Sequence, residues 1–241
     1  MKRAFSIVLA VLILALTACG TEKKPEENTS ASGNEQQTTA RETTTVPKAS
    51  ETEKAGPEGS DPSENVKVSG ILVIYFSRTG EQYNVGVIDK GNTAIVAEMI
   101  ASETGADLFE VLPVDDHYPM TYNALTDVAK KELNDKARPA YRGEIPDLDV
   151  YETIFIGAPV WWGDWPMIMY TVFENNDFSG KKLVPFSTHE GSGLSGFDRK
   201  LQSACPGAEV LTGLAVRGKG AQTEQQKTKE AVRGWLQGLG F

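Results

Sequence analysis

Ile71-Leu72-Val73-Ile74-Tyr75-Phe76 runs directly into Ser77-Arg78-Thr79-Gly80, and after an interruption Gly91-Asn92-Thr93 follows. The first six residues of this stretch are continuously apolar, β-branched or aromatic, which is how a strand buried on both faces reads. The next four are rich in hydroxyls and backbone N–H groups. Beyond Thr93, Ile95, Val96, Met99 and Ile100 recur at helical spacing. Strand, hydroxyl-rich loop, helix N-terminus is the order that builds an anion site, because the first turn of a helix has unpaired N–H groups and a partial positive charge. Ser77, Thr79 and Thr93 add hydroxyls and Arg78 adds a full charge. The expected ligand group is a phosphate.

Outward from this stretch, strand and helix signals alternate. Asp107 to Val114 reads as a second strand and Thr121 to about Lys136 as a helix, with Tyr122, Leu125 and Ala129 on one side. Thr153 to Ile156 is a third strand, ending at Gly157-Ala158-Pro159. A helix starting near Pro166 suits a first-turn proline. Leu183 to Ser187 is a fourth strand, although Pro185 cannot donate to a ladder. Val210 to Val216 is a fifth, and a last helix runs from about Thr223 to Leu239. The pattern predicts an α/β domain: an open, doubly wound, five-stranded parallel sheet with helices on both faces. Such sheets take ligands at the carboxyl ends of their strands.

Two further strand ends carry unusual chemistry. Pro159-Val160-Trp161-Trp162-Gly163-Asp164-Trp165-Pro166 holds three of the four tryptophans in a loop, where polar residues are the rule. Flat apolar faces at a rim suit stacking on a planar ring. Trp161 or Trp162 is expected to stack, with at least one indole of the three covering the core. Thr188-His189-Glu190-Gly191-Ser192-Gly193 follows the fourth strand, and its glycines permit close backbone approach to a ligand.

The chain's two ends differ. Lys2 and Arg3 precede an apolar run from Ala4 to Leu16, too short to span a bilayer and of the right length for a signal-peptide core. Leu16-Thr17-Ala18-Cys19-Gly20 resembles the lipobox of bacterial lipoproteins. Residues 1–18 are therefore expected to be a signal peptide and Cys19 a lipid-bearing N-terminus, placing the protein outside the cytoplasm on a membrane. From Gly20 to Lys67 there is no Leu, Ile, Met or aromatic residue. Residues 19–67 read as a disordered tether that cannot offset the entropy of ordering, leaving 68–241 as the folded domain. Net charge is −9, with 33 acidic against 24 basic residues, which weighs against nucleic acid. Two cysteines and two histidines, without H-E-x-x-H or C-x-x-C, weigh against a zinc site. Gly213 to Gly220 nearly spells a phosphate-binding loop but lacks the Ser/Thr that holds magnesium. Gly193-Leu194-Ser195-Gly196-Phe197 fails the last glycine of a nucleophile elbow.

Together, residues 70–240 resemble the flavodoxin family, whose strand order 2-1-3-4-5 places FMN at the switch point, an example the general rule itself uses. Ser77-Arg78-Thr79-Gly80 with Asn92-Thr93 is similar to the family's phosphate loop S/T-x-T-G-N-T, but split by an insert. Either Gly80 or Gly91 fills its glycine position. Val160–Pro166 and Thr188–Gly193 resemble the two loops that flank the flavin. Among such proteins the chain is most similar to a subgroup with W-W after strand three, V-P-F in strand four and a T-H-x-G-S-G loop.

The resemblance implies FMN as cofactor, held by Ser77, Arg78, Thr79, Gly80, Asn92, Thr93, Pro159, Val160, Trp161, Trp162, Gly163, Thr188, His189, Gly191, Ser192 and Gly193. It implies electron transfer with redox partner proteins or small acceptors, and a Gly163-Asp164 peptide able to turn its carbonyl toward the reduced ring. Two other readings share the fold. One is an FMN-dependent NAD(P)H:quinone-type oxidoreductase with His189 as proton donor, unless His189 is simply bonded to backbone. The other is a flavin-free surface binding module. The insert Glu81–Lys90 either folds over the ring, with Tyr83 in contact, or bulges into solvent.

Overall fold

A computed structural model describes residues 70–241. The signal segment 1–18, Cys19 and the tether up to residue 67 lie outside the described residues. No described helix is long and apolar enough to cross a membrane.

β1 (Ile71–Tyr75) lies in the interior of the sheet because both of its faces are apolar. Leu72, Ile74 and Phe76 are fully buried on one face; Val73 and, nearly so, Tyr75 are buried on the other. This is the period of two that a strand imposes. β1 pairs in parallel with β4 (Asp107–Glu110) on one side and β5 (Thr153–Pro159) on the other. β5 pairs with β6 (Lys182–His189). Beyond β6 lie β7 (Glu209–Val210) and β8 (Leu214–Arg217), both parallel to it. Counted over these main-sheet positions the order is 2-1-3-4-5, as the sequence predicts. α1 (Asn92–Thr104) and α6 (Gln225–Leu239) cover one face through Val96, Ile100, Val232 and Leu236. α3 (Met167–Asn175) and α4 (Phe197–Ala204) cover the other through Ile168, Met169, Val172 and Leu201, joined by Leu125 of α2 (Tyr122–Asp135).

The fifth strand departs from its expected form. It breaks after Val210 and resumes at Leu214. The register explains why. Leu183 pairs with Val210 but Phe186 with Leu214, so one extra residue sits between them. The Leu183 carbonyl accepts from the Leu211 N–H at 2.8 Å, so odd-numbered residues of β6 face the fifth strand. Pro185 therefore faces it too, without an N–H to give. The fifth strand bulges where the ladder has no donor. The last helix, α6, starts at Gln225, close to its expected start, and a short α5 (Gly218–Thr223) precedes it.

The insert after Gly80 folds into a hairpin, β2 (Gly80–Gln82) against β3 (Gly86–Ile88). It is fastened to the start of α2. The Glu81 N–H donates to the Met120 carbonyl at 2.7 Å, and the Glu81 carboxylate accepts from the Tyr122 N–H at 2.9 Å. That carboxylate meets the positive end of α2, where an anion is stabilising.

Candidate functional site

A cavity of about 550 Å³ opens at the carboxyl ends of β1, β5 and β6. At one end it reaches the start of α1. Gly91 is the N-cap and offers no side chain. Ser77 Oγ takes over part of that role by accepting from the Ala94 N–H at 3.0 Å. The N–H groups of Asn92 and Thr93 have no partner among the described residues, and both residues line the cavity. Thr93 and Thr188 share a hydroxyl–hydroxyl bond of 2.8 Å that ties α1 to the end of β6. Gln222 of α5 donates to Asn92 Oδ1 at 2.8 Å and fixes that side chain.

Arg78 stands beside this end with its side chain only 9 % exposed. Nη1 is paired with Asp116 at 2.7 Å and Nη2 donates to the Tyr118 carbonyl at 2.8 Å. Its Nε–H is buried without a partner. An unpaired buried donor costs about 1–3 kcal/mol, so a cavity holding an acceptor is the natural account of it. The fit to a phosphate is good: a helix start with two free N–H groups, and a guanidinium with one donor to spare.

The tryptophan loop divides by role. Trp165 is 1 % exposed and stacks on Phe197 at 3.6 Å, so it is core. Trp161 packs edge-on against Phe76 and Tyr118 while lining the cavity. Trp162 is 52 % exposed, also lines it, and donates its indole N–H to the Thr126 carbonyl at 2.9 Å. Trp161 and Asp164 exchange both backbone bonds, at 3.0 and 2.9 Å. Trp162 and Gly163 between them have φ of 52° and 76°, a two-residue turn of the type with both central residues left-handed. A left-handed tryptophan costs about 1–2 kcal/mol. The Gly163-Asp164 peptide, expected to turn freely, is held at both ends. Lys200 Nζ donates to the Gly163 carbonyl and pairs with Asp164, and the Asp164 N–H is bonded to Trp161.

In the third loop, Thr188, His189, Glu190, Gly191 and Ser192 line the cavity. His189 Nδ1 accepts from the Gly191 N–H at 2.9 Å. Burial and the nearby Arg217 charge hold its pKa below the usual imidazole value. It is therefore a neutral ring bonded to backbone through Nδ1, with Nε2–H left as its donor. The Glu190 carboxylate accepts from the Lys219 N–H at 2.7 Å.

Of the residues expected in the site, Arg78, Asn92, Thr93, Pro159, Val160, Trp161, Trp162, Gly163, Thr188, His189, Gly191 and Ser192 are brought together around the cavity. Ser77, Thr79, Gly80 and Gly193 are not part of its lining. Ser77 caps the start of α1, as described. The Thr79 carbonyl accepts from Gln82 at 3.3 Å, and Gly80 has turned away into β2. The Gly193 carbonyl accepts from Ser187 at 3.0 Å. Gly91, not Gly80, adjoins Asn92-Thr93 at the helix start. The insert contributes Gln82 and Tyr83, and α2 contributes Tyr122, Leu125, Thr126 and Ala129. Sequence reasoning missed these α2 residues as site residues because their helical spacing reads equally as core.

Tyr118, edge-on to Trp161, adjoins a carboxylate–imidazole pair. Glu132 is buried, accepting from Tyr118 Oη at 3.1 Å and bonded to His117 Nε2 at 2.9 Å. Burial pulls the His117 pKa down, but the bonds to Glu132 and the Asp115 carbonyl outweigh it and the net shift is upward. A raised histidine pKa stabilises the fold below the unfolded value of about 6.5, and that contribution is lost as pH rises through the folded value. The melting temperature of wild type relative to His117→Asn is therefore expected to fall between about pH 6 and 8. A difference that is constant with pH would refute it.

A profile of the family described as flavodoxin matches residues 70–238. No curated protein matches the chain. A Bacteroides eggerthii protein assigned to the flavoproteins is 29% identical, with a TM-score of 0.56 over 71% of this chain and 98% of its own. A Bacteroides uniformis protein so assigned is also 29% identical, at 0.56 over 69% and 97%. A flavoprotein of Lactobacillus acidophilus, solved in complex with FMN, is 22% identical at 0.47 over 64% and 96%. With the strand order, the cavity at the carboxyl edge and a match to most of the chain, the protein belongs to the flavodoxin family.

Proposed function

We propose that the domain binds FMN in this cavity and serves as an electron-transfer protein. The observation that carries the reading is the open start of α1, where the Asn92 and Thr93 N–H groups have no partner among the described residues, at a cavity that Arg78 also lines. These would hold the phosphate. Trp161, Trp162 and the backbone from His189 to Ser192 would flank the ring. FMN, when bound, supplies one- or two-electron chemistry. The chain's own residues orient it and keep water from it. Lys200 holds the Trp162–Gly163 turn in one form. The neutral His189 holds its loop by accepting from Gly191. Glu190 and the net charge of −9 put negative potential around the ring, which opposes added electrons and lowers the potential.

We further propose that Cys19 carries lipid and that the domain works on the outer side of a bacterial membrane, exchanging electrons with redox proteins or small acceptors. The lipobox-like Leu16–Gly20 after an apolar core supports this.

The test is to purify the chain, add FMN and record the visible spectrum through stepwise reduction, with and without NAD(P)H. Bound yellow flavin that is inert to NAD(P)H supports a carrier. NAD(P)H oxidation that is speeded by a quinone supports the reductase. A colourless chain that takes up no FMN overturns both and favours a binding module. Loss of membrane association in Cys19→Ser checks the anchor.

A further inference from the structure

Tyr122, Leu125, Thr126 and Ala129 of α2 fall on one helical face, at spacings of three, four and seven. All four line the cavity, so this face looks into the site as well as onto the core. Leu125 and Ala129 are buried and form a floor. Along the same face stand three aromatic groups. Trp162 is bonded to Thr126, Tyr122 lies one turn before Thr126, and Tyr83 of the hairpin lies 5.5 Å from Tyr122, ring to ring. Tyr83 and Trp162 are each more than half exposed. The hydroxyls of Tyr83 and Tyr122 have no protein partner among the described residues. None of these groups is needed to hold a phosphate.

We propose that this aromatic face is a second subsite, beside the flavin, for a small flat uncharged ring bearing carbonyl oxygens, of the quinone class. It rests on the FMN reading only for what lies next to it; the subsite itself is built of the chain's own side chains. Flat apolar faces select a flat ring. The phenol hydroxyls of Tyr83 and Tyr122 are the donors that carbonyl oxygens require. Carboxylates already meet two of the positive groups on this side of the cavity: Arg78 is paired with Asp116, and the start of α2 is capped by Glu81. The cavity also holds the Glu190 carboxylate. The proposal is one of binding.

The experiment is an equilibrium titration of the full chain, loaded with FMN, with duroquinone, whose four methyl groups block addition of thiols. Saturable one-to-one binding is expected. The double substitution Tyr83→Ala, Tyr122→Ala should weaken it at least about tenfold, with FMN affinity changed less than about twofold. Tyr83→Phe with Tyr122→Phe should weaken duroquinone about threefold or more and leave durene, which lacks carbonyls, unaffected. Circular dichroism checks that the variants are folded. Absence of saturable binding by a flavin-loaded chain overturns the subsite and leaves the proposed function standing. Equal losses of duroquinone and FMN affinity overturn it too, since the face would then hold the cofactor. If the chain takes up no FMN, the functional reading falls, and the same titration of the colourless chain still decides the subsite.

Discussion

Gly91→Ala is expected to weaken FMN binding about a hundredfold, or roughly 2.7 kcal/mol. The cause is space rather than backbone conformation. Gly91 has φ −65°, which any residue adopts. A Cβ built there would stand 2.1 Å from Ser77 Oγ, 2.8 Å from the Arg78 carbonyl oxygen and 3.0 Å from the Arg78 nitrogen. Two of these atoms are backbone and cannot swing aside. The start of α1 must move away from the loop after β1, and the bond from the Ala94 N–H to Ser77 Oγ goes with it. Overpacking of this kind costs about 1–3 kcal/mol of stability, and loss of the substitute cap about 1 kcal/mol more. The larger functional effect follows because the shift moves the Asn92 and Thr93 N–H groups relative to Arg78, and all three residues line the cavity. Fluorescence titration of FMN against the variant measures it, with thermal unfolding as a control for folding.

Gly80→Ala is the informative companion. Gly80 has φ +85°, and its Cβ would lie 2.6 Å from the Met120 carbonyl oxygen. That change strains the hairpin and its bond to Met120 but leaves the helix start in place. A folded Gly91→Ala protein that binds FMN within threefold of wild type, or a Gly80→Ala protein with the larger loss, would assign the phosphate to another place.

The sequence shows β1, its loop and α1 clearly because each is specified locally. A strand buried on both faces leaves a continuous apolar run at 71–76, and a helix start next to glycine and hydroxyls is written within three residues. The tryptophan loop was visible for the same reason, through composition. What was not visible depends on partners distant in sequence. The break between β7 and β8 is caused by Pro185, about 25 residues upstream, and nothing at Leu211–Gly213 marks it. Trp165 and Trp162 differ in burial because Phe197 of α4 receives one ring while α2 receives the edge of the other. The strands of the hairpin have three residues each, too few to show a period, and Val87 on it is exposed. The stripe of α2 was correctly read as one side of a helix. That it serves a cavity as well as the core is set by the hairpin docking on Tyr122, a tertiary fact.

Gly157→Ala is expected to destabilise the domain by about 3 kcal/mol. In the sequence this glycine reads as the end of a strand, but it lies inside β5, opposite Phe186 of β6. Glycine within a strand often marks a close approach, and here the approaching group is the Phe186 ring. A Cβ at 157 would stand 2.0 Å from Cζ and 2.2 Å from Cε2 of that ring. The ring has no room to retreat, being fully buried among Phe155, Val184 and Val216. Alanine would gain about 0.4–1 kcal/mol by restricting the unfolded chain, which is smaller than the cost of displacing a packed ring, at about 1–3 kcal/mol or more. Displacement therefore wins. For a domain of this size the melting temperature should fall by about 6–12 °C. The decisive comparison is the double variant Gly157→Ala, Phe186→Leu. A shorter side chain makes room for the new methyl, so the pair should be more stable than the sum of the single losses implies, with a coupling of about 1 kcal/mol or more. Additive losses in chemical denaturation would mean that the ring is not what requires glycine at 157.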